Sequence, residues 1–435
     1  MPVLYQSTRG KADSATGFVE ALLGGLASDG GLYVPLDVPA LPENWERQET
    51  FADLGSLVLR NWLDGALAPA VVDAAARSAL SFPVPLVPLQ GPWEGVHILE
   101  LFHGPTLSFK DFGARTMARL MAASIPAGKT LTVLVATSGD TGSAVADGFS
   151  GIPGVRVVLL YPEGQVSRTQ EQQLIVERPG VTALRVRGTF DDCQRMVKGA
   201  FSDPALAGVG LSSANSINIG RLLPQSLYYL WAGIQLQDGR PFRACVPSGN
   251  LGNLTAAVLA WRGGLPMSGF VAAHNSNQFF PQYLGGSDAG FGPSVRTMSN
   301  AMDVGAPSNF ERLEWMLGRE TLTSAFQGVS VSDSETLESM RRVYGETGYL
   351  ADPHTAVGLE AVRRLRSGWA DSEPIVVAST AHPAKFPEAI LEATGLTPDV
   401  PASLAAFWNR KTAVAGIDAS GQALRAAILA ADVTG

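Results

Sequence analysis

Between residues 131 and 380, short apolar runs rich in β-branched residues alternate with segments of helical pattern. The strand-like runs are 131–136, 155–161, 182–187, 242–247, 269–273 and 375–380. Most are separated by helix-like segments, among them 165–177, 190–201, 221–235 and 253–262. Continuous apolar strands joined through helices are typical of parallel sheets covered by helices on both faces. The pattern predicts an α/β fold, in which ligands bind at the carboxyl ends of the strands.

The length and the flanking segments indicate more than one packed unit. A chain of 435 residues exceeds one ordinary hydrophobic core, so two or three units are expected. Residues 1–85 contain short helical patterns and a turn-rich stretch, and the proline-rich stretch 81–95 has the composition of a connector.

Charge and cysteine content exclude several classes of protein. The net charge of −8 and the pI near 5.3 disfavour nucleic acid and anionic membranes as partners. The two cysteines, without a CxxC pair, disfavour a disulfide framework and a structural zinc site. The first 18 residues lack the pattern of a signal peptide, and no apolar run reaches the roughly 18–20 residues that span a bilayer. A cytoplasmic protein is expected.

Lysine is scarce in this chain, which makes each lysine informative. Lysine and arginine total 32, and because six are lysine, 26 are arginine. Lys110 stands between Phe109 and Asp111, shortly after a Gly-Pro turn, and a helix-like run follows at 111–123. A desolvated lysine can lose its proton and become a nucleophile, whereas arginine stays protonated. Lys110 is therefore a candidate nucleophile; compositional bias is the open alternative.

A glycine turn follows the strand-like run 131–136. It consists of Thr137, Ser138, Gly139, Asp140, Thr141 and Gly142. Small hydroxyls and free backbone N–H groups at a helix start form a site for a carboxylate or a phosphate. An ordinary strand-to-helix turn, with Ser or Thr as the N-cap, is the alternative.

A second turn repeats this arrangement after the run 242–247. It consists of Ser248, Gly249, Asn250, Leu251, Gly252 and Asn253. Glycines let the backbone approach a ligand closely, and the following helix offers its positive end. Because no GK[ST] follows, a nucleotide P-loop is disfavoured and a phosphate monoester fits better. A role in packing alone stays open.

A polar segment precedes the apolar helix predicted near 221–235. Asn215, Ser216 and Arg221 provide donors there, and Arg221 is suited to bidentate pairing with phosphate. For Asn218 an ordinary helix cap is the expected role.

Another strand-like run, 375–380, ends in Ser379 and Thr380. A hydroxyl at this point either faces a ring nitrogen of a ligand or caps the next helix. The pattern alone does not decide between them.

The five histidines give no metal-binding spacing, so no metal is expected. Asp352 and Pro353 have the pattern of an N-cap and first helical residue, which predicts a structural role for His354. A Ser–His–Asp hydrolase is disfavoured because no G-x-S-x-G motif occurs.

Taken together, these segments resemble the threonine synthase family, pyridoxal-phosphate enzymes of the tryptophan-synthase-β fold type. The likeness covers most of the chain, because several motifs occur in the family's order. They are SDGGLYVP (28–35), HGPTLSFKDF, ATSGDTGSAVA, SANSINIGR, PSGNLGN, SNAMDVGAPSN, DPHTAVG and STAHPAKF. The resemblance implies a two-lobed fold type II enzyme with parallel sheets flanked by helices. It further implies an N-terminal extension at 1–85, a catalytic region at 86–400 and a C-terminal helical segment at 401–435.

The resemblance also implies roles for individual residues. Lys110 takes the position of the Schiff-base lysine, with Phe109 and Phe112 helping to exclude water. The other implied cofactor-binding residues are Gly249, Asn250, Leu251, Gly252 and Asn253 at the phosphate, Thr380 at the pyridine nitrogen, and Asp140 beside the phenolic oxygen. The implied substrate-binding residues are Thr137, Ser138 and Thr141 at the α-carboxylate, and Asn215, Ser216 and Arg221 at the substrate phosphate.

Two positions depart from the family's pattern. Many relatives carry asparagine where Asp140 stands, and an aspartate would repel a phenolate unless one of the two holds a proton. Asn253 replaces an aspartate common in the nearest branch. Lys385 is the one other lysine near the implied site, and the family's pattern places it just outside the cofactor ring.

The implied activity is conversion of O-phospho-L-homoserine and water into L-threonine and phosphate by a monomer or homodimer. The nearest alternative is another pyridoxal-phosphate lyase, such as a threonine/serine dehydratase or an O-phosphohomoserine phospholyase. A non-catalytic cofactor-binding protein is a further alternative, which the presence of Lys110 disfavours.

Overall fold

The computed structural model describes residues 2–10, 15–137, 139–237, 239–288, 290–370 and 372–433. Two parallel sheets form the centres of two lobes. Helices cover both sheets, and a small N-terminal unit packs against them. The α/β class and the parallel sheets predicted from the sequence are confirmed.

One lobe is built on a five-stranded, entirely parallel sheet. Its spatial order is β13-β7-β6-β5-β8. The strands are β5 (Leu131–Ala136), β6 (Val155–Pro162), β7 (Val181–Arg187), β8 (Leu211–Ser213) and β13 (Ala415–Asp418). The helices between them are α5 (Asp140–Gly148), α6 (Arg168–Ile175) and α7 (Phe190–Phe201).

The other lobe is built on a six-stranded sheet with the order β11-β10-β9-β12-β4-β3. The strands are β3 (Leu86–Pro88), β4 (Val96–Glu100), β9 (Phe242–Pro247), β10 (Met267–His274), β11 (Phe326–Ser330) and β12 (Ile375–Ser379). The edge strand β3 is antiparallel to β4, and the other pairs are parallel. Helices of this half are α9 (Gly252–Arg262), α10 (Phe279–Leu284), α11 (Phe310–Ala325), α12 (Asp333–Thr347), α13 (Pro353–Leu365) and α14 (Pro387–Thr394).

The chain passes between the lobes in the middle of the catalytic region. It enters the six-stranded sheet through β3 and β4, builds the five-stranded sheet, and returns at β9. Two long helices, α4 (Lys110–Ser124) and α8 (Ile219–Leu236), make these crossings and pack against each other. Because each crossing begins after the carboxyl end of a strand, residues far apart in sequence meet between the lobes.

The terminal segments add smaller elements to this frame. Residues 1–85 form the antiparallel pair β1 (Tyr5–Ser7) and β2 (Tyr33–Pro35) with α1 (Phe18–Gly24), α2 (Phe51–Trp62) and α3 (Pro69–Ala79). The segment 401–435, predicted as helical, contains α15 (Ala402–Trp408), the strand β13 and α16 (Gly421–Val433). In the described part of the chain, no helix combines the length and apolar content needed to cross a membrane.

Helix starts follow local capping rules that the sequence already contains. Thr189 accepts a hydrogen bond from the N–H of Asp192 at 3.2 Å, and the Asp192 carboxylate accepts one from the N–H of Thr189 at 2.8 Å. This capping box starts α7 at the predicted residue. Asp352 caps α13 with Pro353 as its first residue, as predicted.

Candidate active site

The carboxyl ends of strands from both sheets open onto one cavity. β5 ends at Ala136 and β9 ends at Pro247, and the residues that follow, Thr137 and Ser248, line the cavity. Thr380, directly after β12, lines it as well. This is the position at which open α/β sheets bind ligands.

The cavity brings together most of the residues predicted for the site. Those that line it are Lys110, Thr137, Thr141, Asn215, Ser216, Arg221, Gly249, Asn250, Leu251, Gly252, Asn253 and Thr380. Asp140 is buried and does not line the cavity. Ser138, predicted at the substrate carboxylate, lies outside the described residues.

Lys110 is the first residue of α4, and the loop before it is fixed to the end of β12. The N–H of Phe109 donates to the carbonyl oxygen of Thr380 at 2.9 Å, and Ser108 forms a β-bridge with Ala381. The Lys110 Nζ lies 5.6 Å from the centroid of the Phe109 ring. It forms no hydrogen bond or ion pair with another described residue, so the amine is available to a ligand.

The surroundings of Lys110 favour its neutral form. Burial lowers the pKa of Lys110 to about 8. Attraction to Asp140 opposes this shift, whereas repulsion from Lys385 and Arg221 adds to it. An amine with such a pKa is partly unprotonated near neutral pH, so it can act as a nucleophile and as a proton carrier.

The two phenylalanines beside Lys110 have different surroundings. Phe109 lines the cavity. Phe112 is fully buried in the core, with ring centroids 4.8 Å from Phe82 and 5.5 Å from Phe51. Phe109 therefore lies on the cavity wall beside the amine, whereas Phe112 packs in the core beneath the first turn of α4.

The turn before α9 is shaped to hold an anion against backbone N–H groups. Leu251 has a left-handed conformation with φ 58°, and the helix begins at the next residue. A Cβ on Gly249 would stand 2.7 Å from Met302 Cα, and one on Gly252 would stand 3.1 Å from Ser216 Cβ. The space therefore requires glycine at 249 and is tight at 252, and the first N–H groups of α9 have no intrahelical acceptor.

Asn253 adds a side-chain donor to this turn. Its Oδ1 accepts hydrogen bonds from Tyr228 Oη at 2.7 Å and Tyr229 Oη at 2.5 Å. Its Nδ2 is buried and has no partner among the described residues. Because an unpaired buried donor is costly, the Asn253 amide is suited to donate a hydrogen bond to an acceptor on a ligand in the cavity.

Asp140 is held by a cation that the sequence did not predict as its partner. Its Oδ1 lies 2.6 Å from the Nζ of Lys385 and accepts a hydrogen bond from Gln170 Nε2 at 3.1 Å. Burial alone would raise the pKa of Asp140, but Lys385 and Lys110 outweigh this effect and hold it well below its usual value. The carboxylate therefore stays charged.

In the first glycine turn, Thr137 serves the backbone. Its hydroxyl oxygen accepts hydrogen bonds from the N–H groups of Gly139 at 3.0 Å and Gly142 at 2.8 Å. Thr141, in the first turn of α5, also lines the cavity, and its hydroxyl forms no such hydrogen bond with a described residue. Gly139 has φ 136°, and a Cβ there would stand 2.5 Å from the side chain of Gln170.

The segment before α8 places two polar residues, Asn215 and Ser216, on the cavity wall. Asn215 Nδ2 donates to the carbonyl oxygen of Ala136 at 2.8 Å, and Ser216 Oγ accepts from Asn250 Nδ2 at 2.6 Å. Asn218 caps α8 by accepting from the N–H of Gly220 at 2.9 Å, which confirms its predicted role.

Arg221 is buried in the first turn of α8 and retains hydrogen-bonding capacity. Its Nη1 donates to the carbonyl oxygen of Ala214, and its Nε has no partner among the described residues. Burial lowers the pKa of Arg221 to about 10, and it remains a cation at neutral pH. A buried guanidinium at a helix start is suited to an anionic group.

Neither Ser379 nor Thr380 caps the helical turn that follows β12, which was one of the two roles that the sequence left open. Ser379 is buried, and its hydroxyl is 2.8 Å from Thr355 Oγ1. The cap after β12 is instead His382, whose Nδ1 accepts from the N–H of Ala384. Thr380 is left with its hydroxyl unpaired among the described residues and with a place on the cavity wall.

His354 also lines the cavity, which its predicted structural role did not indicate. Its Nε2 accepts a hydrogen bond from the N–H of Ala301 at 3.2 Å. Since Nε2 accepts, the proton sits on Nδ1, which donates to Asp352 Oδ1 at 2.7 Å. The ring fixes the 299–302 segment against the glycine turn.

The fold and the site define a class of enzyme, and comparison with known proteins identifies it. Residues 80–381 match the family of pyridoxal-phosphate dependent enzymes. Residues 4–79 match the threonine synthase N terminus, and residues 355–428 match the threonine synthase C-terminal family. The chain belongs to the threonine synthase family.

Individual relatives support the same assignment over nearly the full length. The threonine synthase of Haemophilus influenzae is 41% identical over 394 residues, covering 89% of this chain and 90% of that protein. The crystal structure of pyridoxal-phosphate-bound threonine synthase from Brucella melitensis is 34% identical and covers 99% of both chains, with a TM-score of 0.91. The threonine synthase structure from Escherichia coli is 37% identical, with a TM-score of 0.90 over 98% of this chain and 99% of that one.

The cavity residues fit the cofactor of this family. The glycine turn and the unpaired Asn253 Nδ2 offer donors to a phosphate group, and Lys110 offers a free amine to an aldehyde. Thr380 offers a hydroxyl that forms no hydrogen bond with another described residue. The chain is a pyridoxal-phosphate enzyme.

Gly249→Ala is expected to weaken binding of pyridoxal phosphate about tenfold to a hundredfold. The new Cβ would overlap Met302 Cα, and overpacking costs about 1–3 kcal/mol. Titration of cofactor-free protein with pyridoxal phosphate measures the change. Gly199→Ala in α7, where a Cβ meets nothing within 4 Å, is the matched control. Equal affinities of the two variants would contradict binding of the cofactor phosphate by the 248–253 turn.

Proposed function

We propose that this chain converts O-phospho-L-homoserine and water into L-threonine and phosphate, with pyridoxal phosphate bound through Lys110. The observation that carries the proposal is the placement of the Lys110 amine in one cavity with two neighbouring groups of residues that are suited to binding anions. One is the 248–253 turn, and the other is Arg221 with Asn215 and Ser216. A cofactor phosphate and a substrate phosphate require two such groups. The names of the relatives support the same reaction.

The chemistry explains why a lysine must serve at two carbons. Phosphate leaves from the γ-carbon of the substrate, whereas the new hydroxyl of threonine is on the β-carbon. When bound, the cofactor withdraws electrons from the carbon that bears the amino group. Lys110 then carries protons at the α- and β-carbons, and its pKa of about 8 allows it to accept and to release them.

The site residues divide into two groups in this proposal. Those at the cofactor are Gly249, Asn250, Leu251, Gly252 and Asn253 at its phosphate, Thr380 at its ring nitrogen and Asp140 on its phenolic side. Those at the substrate are Thr141 and the neighbouring Thr137 and Ser138 at the carboxylate, and Asn215, Ser216 and Arg221 at the phosphate. The free Arg221 Nε supports the last role, because the group is already buried and lacks an acceptor.

Charge and cysteine content support the cellular setting of the enzyme. The acidic charge of −8 and the two unpaired cysteines support a cytoplasmic protein that does not bind nucleic acid. We place the N-terminal extension at 1–85, the catalytic region at 86–400 and the C-terminal segment at 401–435. A monomer or a homodimer is expected.

Product analysis tests the proposed reaction. Purified protein loaded with pyridoxal phosphate is incubated with O-phospho-L-homoserine, and threonine, phosphate and 2-oxobutyrate are quantified. Threonine and phosphate in a one-to-one ratio are expected. The same protein is expected to release little 2-oxobutyrate from L-threonine and little pyruvate from L-serine. 2-Oxobutyrate as the main product would instead identify a phospholyase or a dehydratase.

A further inference from the structure

Lys385 is a fully buried lysine in a chain that has only six. Its Nζ lies 2.6 Å from Asp140 Oδ1 and donates to the carbonyl oxygen of Thr106 at 3.0 Å. Asp140 begins α5 of the five-stranded lobe, whereas Lys385 follows β12 of the six-stranded lobe. The pair therefore joins the two lobes beside the loop that leads to Lys110.

Stability alone does not account for this pair. Two charges lose their hydration on burial, and their attraction often only balances that loss. The pair has to be explained by what it does to its neighbours. One neighbour with a proposed function is the Lys110 amine, which Asp140 attracts although no hydrogen bond or ion pair joins these two described residues.

We propose that Lys385 is a positioning residue for cofactor attachment: by occupying the Asp140 carboxylate, it leaves the Lys110 amine free to bond to the cofactor aldehyde. In that step the Lys110 nitrogen forms a double bond to the aldehyde carbon. The aldehyde oxygen leaves as water with the two hydrogens of the amine, so no oxidant or reductant is needed. The inference rests on the proposed function, in which Lys110 is the attachment point.

Among the charged groups around Lys110 and Asp140, Lys385 decides whether the Asp140 carboxylate is available to the Lys110 amine. Lys110 faces Asp140, Lys385 and Arg221, and Asp140 faces His354 as well. A further carboxylate that faces Lys385 is Asp111, but it is held by the N–H and hydroxyl of Thr106 at 2.8 and 2.7 Å. Without the charge of Lys385, Asp140 would therefore be the carboxylate available to pair with the Lys110 amine.

The signs of these charges determine in which direction the loss of Lys385 shifts the pKa of Lys110. Burial depresses the pKa of Lys110, and Lys385 adds to that depression while Asp140 opposes it. Removing the Lys385 charge takes away a repulsion and frees a carboxylate, so both changes raise the pKa of Lys110. The free-base amine, which is the form that attacks an aldehyde, would then appear at higher pH.

The test measures cofactor attachment rather than turnover. Full-length protein is freed of cofactor and mixed with pyridoxal phosphate across a pH series, and the rate of attachment is followed by absorbance at roughly 410–420 nm. The proteins are wild type, Lys385→Met, Lys385→Arg, Asp140→Asn and the Lys385→Met/Asp140→Asn double variant. Circular dichroism reports whether each is folded.

Lys385→Met is expected to move the midpoint of the rate profile upward by about one pH unit. Asp140→Asn moves it downward, Lys385→Arg stays near wild type, and the double variant returns toward wild type because the removed charges cancel. If Lys385→Met does not fold, a midpoint for the double variant above that of Asp140→Asn supports the inference. Midpoints that coincide in all folded variants would overturn it.

The two proposals fail in different ways. If Lys110 is not the attachment point, wild-type protein gives no attachment at that residue, and the proposed function fails. If wild type attaches normally and the midpoint is insensitive to Lys385, the positioning role alone is lost.

Discussion

Lys110→Ala is expected to abolish covalent cofactor binding and to reduce threonine formation by at least about 10³-fold. The variant loses the nucleophile that holds the cofactor and the base that carries protons at two carbons. Wild-type protein is expected to absorb at roughly 410–420 nm and the variant is not. Absorbance spectra and product assays of the two proteins measure both effects.

A matched control keeps this prediction specific to position 110. Lys129→Ala changes an exposed lysine between α4 and β5, so its spectrum and activity should equal those of wild type. The Lys110→Ala variant should still bind pyridoxal phosphate non-covalently, because the glycine turn is intact. A Lys110→Ala protein that keeps the wild-type absorbance and activity would show that the attachment point lies elsewhere.

Arg221→Gln is expected to lower kcat/KM for O-phospho-L-homoserine by about 10²–10³-fold. A buried charge that pairs with a ligand contributes about 2–5 kcal/mol when its partner is lost, and Arg221 Nε has no partner among the described residues. Inhibition by inorganic phosphate should weaken to a similar extent. Arg221→Lys should recover only part of the loss, because an ammonium lacks the planar fork of the guanidinium.

Two readouts separate this role from a structural one. The absorbance at roughly 410–420 nm should persist in Arg221→Gln, since the cofactor phosphate is assigned to the 248–253 turn. Arg47→Gln, at an exposed arginine, should leave both kinetics and phosphate inhibition unchanged. Unaltered phosphate inhibition in a folded Arg221→Gln protein would assign the guanidinium to the Ala214 carbonyl contact alone.

Much of the frame was predictable because hydrophobic periodicity reports local structure. The runs 131–136 and 242–247 became β5 and β9 with the predicted bounds, and the segment 190–201 became α7. The pattern did not indicate which sheet each strand joins. β4 and β12 are adjacent although 274 residues lie between the end of β4 and the start of β12, and strand pairing of that kind is set by tertiary packing. The short, exposed β13 has too few apolar residues to be distinguished from a loop.

The candidate site shows the same division between local and distant information. Glycine turns at strand ends and a lysine among aromatic residues are local signals, and the cavity gathers them. The Asp140–Lys385 pair and the two tyrosines on Asn253 join residues that are far apart in the chain, so no spacing could reveal them. Phe112 differs from expectation because its side of α4 faces the core rather than the ligand.

The most direct test of the account is the location of the covalent bond. Holoenzyme with verified activity is reduced with borohydride, digested and mapped by mass spectrometry. The account predicts one reduced pyridoxyl phosphate group per chain, on the peptide that contains Lys110. A group on Lys385 or any other lysine, or an unmodified chain from a fully active preparation, would contradict it.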